Sequence, residues 1–122
     1  MKERDLATLN VVEVAPFRVA RWEESPEGRV VLVRVRPERG PGAARRWATY
    51  LLGTRRIRLD EVGSAAWRLV DGRRTVADLA TELRVHFGER IEPAEERLGH
   101  WVRVLRREGL VGYAGIDPAP PR

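Results

Sequence analysis

Apolar and polar residues alternate through the first half of the chain, and this period of two predicts β-strands there. Two such segments, FRVARW (Phe17 to Trp22) and RVVLVRVR (Arg29 to Arg36), flank the sequence SPEG at residues 25 to 28, where Pro and Gly stand as a turn requires. A third short segment, RRIRL (Arg55 to Leu59), alternates in the same way. The pattern therefore predicts three antiparallel strands, of which the first two form a hairpin.

The second half changes to helical spacing, with apolar residues every three to four positions. Three helices are predicted, and their end signals are Asp60 and Gly72 for the first, Thr75, Asp78 and Gly88 for the second, and Pro93 and Gly109 for the third. Between the strands, the spacing of Trp47, Tyr50 and Leu51 favours a short helical turn. We therefore expect an α+β fold: a three-stranded antiparallel sheet followed by a three-helix bundle, winged helix-turn-helix-like in arrangement.

The positive charge of the chain is concentrated in one segment. The formal net charge is +5, and nine arginines stand against one acid, Glu38, between Arg29 and Arg58. Such a segment attracts nucleic acid, anionic lipid or an acidic peptide, although a solvated arginine-rich face has the same composition. No apolar run approaches the roughly 18 residues that span a bilayer, and no signal-peptide core is present, so we expect a cytoplasmic protein without a membrane segment.

Residues with catalytic or metal-binding chemistry are few. The chain has no cysteine, and neither of its two serines, Ser25 and Ser64, follows the strand-to-helix elbow of a hydrolase nucleophile. His100 and Glu96 are four residues apart on one predicted helix, but no third metal ligand accompanies them and a surface ion pair is the commoner arrangement. The sequence therefore predicts no enzyme, no cofactor and no metal site.

The third strand has no obvious fourth strand to pair with on its outer edge. Arginines at a free edge blunt aggregation, but they also select an acidic peptide that adds to the sheet as a further strand. The third helix would form the other wall of such a groove, with Arg97, Trp101, Val104 and Glu108 at helical spacing. For Trp101, simple core packing is the alternative interpretation.

Two further interpretations stay open. The helix count and the run from Pro93 to Tyr113 fit a winged-helix DNA-binding regulator, but acids occupy the first half of that helix and only a short proline-rich tail follows it, so nucleic acid is disfavoured. A structural homodimer could also use the free strand edge.

The stretch from Leu59 to Arg90, continuing through EPAEERLGHWVRVLRREGLVGY, resembles the PqqD family. The hairpin WEESPEGRVVLVRVRP looks like the opening strands of that family. The residues that carry the resemblance are Leu59, Trp67, Asp71, Gly72, Arg74, Thr75, Val76, Leu79, Leu83, Phe87, Leu98, Leu105, Gly109 and Leu110.

The resemblance implies a non-catalytic peptide chaperone, a recognition element for ribosomally made peptides. Such a protein holds the leader of a precursor peptide against its third strand and third helix and delivers it to a modifying enzyme, often a radical SAM protein. Carried onto this chain, the implied peptide-binding residues are Arg55, Arg56, Ile57, Arg58 and Leu59 on the strand and Arg97, Trp101, Val104, Leu105 and Glu108 on the helix. The segment from Glu38 to Thr54 is longer than the link in compact members of the family, and it can cover or re-aim the groove.

The expected domain organisation is simple. A single PqqD-like domain is predicted over residues 1–115, with strands within about 9–59, helices within about 60–110 and a short helix in the insertion at 38–54. A disordered proline-rich tail is predicted at 116–122.

Overall fold

The computed structural model describes residues 10–34, 42–52 and 56–119 of the chain. Its regular elements, in chain order, are β1 (Pro16–Arg18), β2 (Arg21–Glu24), β3 (Val30–Val33), α1 (Ala43–Leu52), β4 (Arg56–Arg58), α2 (Glu61–Leu69), α3 (Val76–Phe87), α4 (Ala94–Arg107) and β5 (Val111–Tyr113). Two short 3-10 helices, Val11–Glu13 and Gly88–Ile91, precede β1 and α4.

Strands β2, β3 and β4 form a three-stranded antiparallel sheet in that order. Leu32 in the central strand lies opposite Trp22 on one side and Ile57 on the other. The turn between β2 and β3 closes as its sequence predicts, because Gly28 adopts a φ of 80° and its N–H donates to the Ser25 carbonyl. This sheet and the three helices after it confirm the predicted α+β fold.

The segment FRVARW is not a single strand. Phe17 belongs to β1 and Trp22 to β2, and the chain bends at Ala20 between them. Strand β1 pairs with β5 in a separate two-stranded antiparallel sheet, in which Phe17 lies opposite Gly112. The predictions of one strand here, and of only a tail after the third helix, were wrong because three-residue strands leave no alternating pattern long enough to recognise.

The helix ends agree with the sequence signals except at Gly72, because α2 already ends at Leu69 with Val70 as its C-cap. Asp60 caps α2, and Thr75 and Asp78 exchange the two hydrogen bonds of a capping box at the start of α3. At the end of α4, Gly109 has a φ of 76° and its N–H donates to the Arg106 carbonyl at 3.0 Å, while Leu110 donates to Leu105 at 2.8 Å. Together these two bonds make the predicted Schellman ending.

Two segments differ in extent from their predictions. The short helical turn predicted in the insertion is a ten-residue helix, α1. Beyond β5, Asp117 accepts hydrogen bonds from the Arg106 side chain and from the Tyr113 N–H, so the chain is still attached to α4 two residues past the expected start of the tail.

The core lies between one face of the three-stranded sheet and the helices. The sheet contributes Val30 and Leu32, and α2 contributes Trp67, all with no exposed surface. Further fully buried core residues are Val70, Val76, Leu79, Ala80, Leu83 and Val102. Among the described residues, no helix combines the length and apolar character needed to cross a bilayer.

Candidate functional site

Strand β4 lies at one edge of the three-stranded sheet, and no described strand pairs with its outer side. On its inner side, Leu59 just after the strand donates its N–H to the Val30 carbonyl at 2.8 Å. Bonded and outward-facing residues alternate along an antiparallel strand, so the N–H and C=O groups of Arg56 and Arg58 point away from β3. Within the described chain, this edge offers four backbone hydrogen-bonding groups to an added strand.

Ser64 on α2 fixes the point at which the chain leaves the sheet after β4. Its hydroxyl accepts the Val30 N–H at 2.9 Å and lies 3.4 Å from the Leu59 carbonyl, to which it donates. The hydroxyl therefore bridges the two groups that an ordinary ladder would join directly. Because Ser64 is only 2% exposed, the bridge is held inside the protein.

The arginine side chains of β4 already have carboxylate partners on the β2–β3 hairpin. Arg56 is ion-paired and hydrogen-bonded to Glu23, and Arg58 lies 3.4 Å from a carboxylate oxygen of Glu27. Both arginine side chains are 60% exposed, so these are surface pairs. Arg55, the first residue of the predicted strand, lies outside the described residues.

Glu27 is held in its ionised form by its surroundings. Its own backbone N–H, the Ser25 hydroxyl and the charge of Arg58, in that order, lower the pKa of the Glu27 carboxyl. The carboxylate facing Arg58 is thus charged at neutral pH.

On the face of the sheet that points away from the core, these charged side chains surround Val31 and Val33. The pairing registers place the side chains of this face in two rows across the strands, Arg58–Val31–Glu23 and Arg56–Val33–Arg21. Arg56 and Glu23 stand in neighbouring rows, so their ion pair crosses over the central strand.

A pocket of about 140 Å³ opens between the start of α2 and the middle of α4. Trp101 and Arg97 line its α4 side, and Asp60 and Gly63 line the side that follows β4. The remaining lining is apolar and consists of Val62, Ala66, Leu83, Ile91 and Leu98. Since pockets for whole small molecules are typically about 300–1,000 Å³, this one suits a single apolar side chain.

The charged groups of the pocket are held in place. Arg97 is exposed and donates to the Arg90 carbonyl at 2.9 Å, while Asp60 accepts the Gly63 N–H at 2.7 Å. Trp101 is partly buried and packs against the core. The indole both contacts the core and lines the pocket, so the core and groove interpretations of Trp101 both stay open.

The far end of α4 is tied to the sheet. Arg34, just after β3, donates to the backbone carbonyl of Glu108 at 2.9 Å and to its carboxylate at 3.0 Å. The Arg34 side chain is 11% exposed and the Glu108 side chain 42%, so the largely buried arginine meets a carboxylate at the surface. The carboxylate of Glu108 therefore contributes to joining α4 to β3.

The residues predicted for the groove occupy three places. Arg56, Ile57, Arg58 and Leu59 follow the sheet edge, Arg97 and Trp101 line the pocket, and Val104, Leu105 and Glu108 lie at the end of α4. Leu59 and Leu105 belong to the core at 8% and 6% exposure. Whether the other residues bind a peptide stays a prediction.

Sequence reasoning missed the residues that shape the site without belonging to the predicted groove. They are Ser64, Gly63, Glu23, Glu27 and Arg34, and Asp60 was recognised only as a helix cap. The contacts of Ser64, Glu23, Glu27 and Arg34 join segments that are distant in the chain, so no local spacing pattern reveals them. Gly63 alone carries a weak signal, as a glycine inside a helical pattern.

The comparisons with known proteins support one family. A family model described as "Coenzyme PQQ synthesis protein D (PqqD)" matches residues 46–111, which is more than half of the 122-residue chain. No curated protein and no solved structure gives a match. The matched residues include all of β4, the pocket between α2 and α4, and the helices that support both. The chain therefore belongs to the PqqD family.

Proposed function

We propose that this protein is a non-catalytic adaptor that binds the leader of a ribosomally made precursor peptide and presents it to a modifying enzyme, such as a radical SAM protein. The leader joins the sheet as a strand beside β4. The observation that carries the proposal is the unpaired outer edge of β4, within the described chain, next to a pocket lined by Trp101. The edge supplies a template for the peptide backbone, and the pocket supplies selectivity for a side chain.

The strength of such binding follows from its parts. Four backbone hydrogen bonds contribute roughly 0.5–1.5 kcal/mol each, and one peptide side chain buried in the pocket adds roughly 1.5–3 kcal/mol. Association and ordering of the peptide cost at least about 4 kcal/mol. The upper end of this range corresponds to sub-millimolar affinity, to which charge complementarity at the arginines adds.

Charge disfavours a homodimer through the same edge. If two copies paired antiparallel around Ile57, Arg56 of each copy would lie opposite Arg58 of the other. Like charges directly opposite each other destabilise a strand pair. Carboxylates of a partner strand opposite these arginines would be attracted to them instead.

Nucleic acid is a weaker candidate. In the first turns of α4, Glu95 is bonded to Arg84 and Glu96 is exposed. Carboxylates at this end of a helix repel phosphates. A strand does follow α4, but it pairs with β1 and does not form a hairpin wing.

The test separates the backbone of β4 from its side chains. Arg58→Ala removes the side chain and keeps the N–H, whereas Arg58→Pro removes the outward N–H and no ladder bond. We expect the Pro variant to bind the leader encoded beside this gene about 2- to 10-fold more weakly than the Ala variant, by calorimetry. Melting temperatures of the two variants should be similar.

A second pair of variants tests the pocket. Trp101→Ala should weaken leader binding about 10-fold or more, because it removes the aromatic wall of the pocket. Val85→Ala is the matched control, since Val85 is 81% exposed on α3 and outside the pocket. Equal binding by the Arg58 variants, or no binding of the leader by the folded protein, would contradict the proposal.

A further inference from the structure

The two arginines that face an added strand are occupied by the protein itself. Glu23 reaches Arg56 across the central strand, and Glu27 in the hairpin turn reaches Arg58. Both carboxylates belong to the β2–β3 hairpin of the same sheet, and both glutamate side chains are more than half exposed. A ligand carboxylate therefore competes with a carboxylate already in place.

The spacing of the arginines also restricts the ligand. Arg56 and Arg58 are two residues apart in β4, so their side chains lie on the same face of the sheet. In a strand added beside β4, the residues opposite them are likewise two apart and point to that face. The residue between them points to the other face, where Ile57 packs against the core.

We infer that the recognised segment carries two carboxylates at positions i and i+2 with an apolar residue between them, and that Glu23 and Glu27 are internal competitors for the same two arginines. This inference rests on the proposed function and deepens it. On binding, each ligand carboxylate replaces one carboxylate of the hairpin.

The exchange selects for spacing. An exposed ion pair contributes little on its own, so a strand-aligned ligand carboxylate displaces it readily. An anion that makes no backbone hydrogen bonds to β4 only replaces one carboxylate beside an arginine by another. Such a replacement contributes little binding free energy. The internal pairs therefore weaken binding of unrelated anions while permitting a correctly spaced peptide strand.

The experiment uses two synthetic peptides of identical composition, one with Glu-Leu-Glu at its centre and one with Glu-Glu-Leu. Fluorescence anisotropy measures their affinity for the whole chain. We expect the Glu-Leu-Glu peptide to bind about two- to five-fold more tightly, because only this order places both carboxylates opposite arginines. Glu23→Gln and Glu27→Gln should each tighten binding of that peptide by about two- to five-fold.

Glu24→Gln is the matched control for these variants. Glu24 lies on the same strand as Glu23 and loses the same charge, but it is paired with Arg68 of α2 on the other face of the sheet. Its substitution should leave the affinity unchanged. A similar gain in all three Glu variants would show a general charge effect and overturn the inference.

The remaining outcomes distinguish the inference from the function on which it rests. If the leader binds at β4 but the order of the test peptide makes no difference, or if Glu23→Gln and Glu27→Gln do not tighten binding, the inference is wrong and the adaptor proposal stands. If neither the leader nor any test peptide binds, the proposed function is wrong and the inference falls with it.

Discussion

At the scale of single residues, Ser64 shows how a small polar group positions the candidate site. The sequence marks Ser64 only as a candidate nucleophile, yet its hydroxyl joins β3, the end of β4 and α2. A buried backbone N–H that loses its acceptor is costly because water does not replace the bond. Ser64 therefore acts as a positioning residue for the strand edge.

Ser64→Ala should reduce the free energy of unfolding by about 1–3 kcal/mol, because the Val30 N–H loses its acceptor. Urea denaturation followed by circular dichroism measures the change. Thr81→Ala is the control, since its exposed hydroxyl bonds only the Ala77 carbonyl of its own helix. A loss in the Ser64 variant no larger than in the Thr81 variant would show that the bridge is dispensable.

At the scale of elements, the β1–β5 pair depends on a close fit between an aromatic ring and a glycine. Phe17 lies opposite Gly112, and its ring occupies the space that a side chain at residue 112 would need. The strand pair therefore requires glycine at this position for steric reasons.

Gly112→Ala should destabilise the protein by about 1–3 kcal/mol, because the new methyl group meets the Phe17 ring. Combining it with Phe17→Leu relieves the contact, so the two losses should sum to more than the loss in the double variant. Chemical denaturation of the four proteins completes the double-mutant cycle. Strictly additive losses would mean that the ring does not cause the effect.

The elements that could be predicted from the sequence are those whose signals lie within a few residues of each other. Asp60, Thr75, Asp78, Gly88 and Gly109 act on backbone groups within a few residues, so their local spacing was sufficient to locate the helix ends. Strands β1 and β5 are three residues long and pair across almost the whole described chain, which local patterns do not record. Likewise, the alternation in RRIRL located the strand edge, but it contained no sign of Glu23 or Glu27, whose positions depend on the sheet register.

At the scale of the whole molecule, lowered carboxyl pKa values make stability depend on pH. Hydrogen bonds from Arg74 and Arg73 lower the pKa of Asp71, those from Arg84 lower the pKa of Glu95, and that from Arg106 lowers the pKa of Asp117. A carboxyl group with a lower pKa in the folded state stabilises the protein above its unfolded-state pKa, about 4. This stabilisation is lost as the pH falls below about 4 through the folded-state values.

Asp117→Asn tests this dependence at one group. At neutral pH the variant should lose about 1–3 kcal/mol of stability, because Asp117 accepts two bonds from Arg106 and one from Tyr113. The difference in melting temperature from the original protein should shrink in acid, where Asp117 itself becomes protonated. Glu89→Gln is the control, because Glu89 has no ion pair among the described residues. A gap that persists unchanged in acid would argue against this role of the charge.

The pairing of β1 with β5 also affects the order in which the molecule folds. Helices α3 and α4 and the β2–β3 hairpin join segments close in the chain, whereas Pro16 lies opposite Tyr113. Closing so long a loop is entropically costly until the intervening chain has already been brought together. We therefore expect β1 and β5 to dock after the helices have packed, so that the sheet edge and pocket form before the chain is closed. Interactions formed late in folding mainly slow unfolding, and β1 and β5 would in this way govern the lifetime of the native state more than the speed at which it forms.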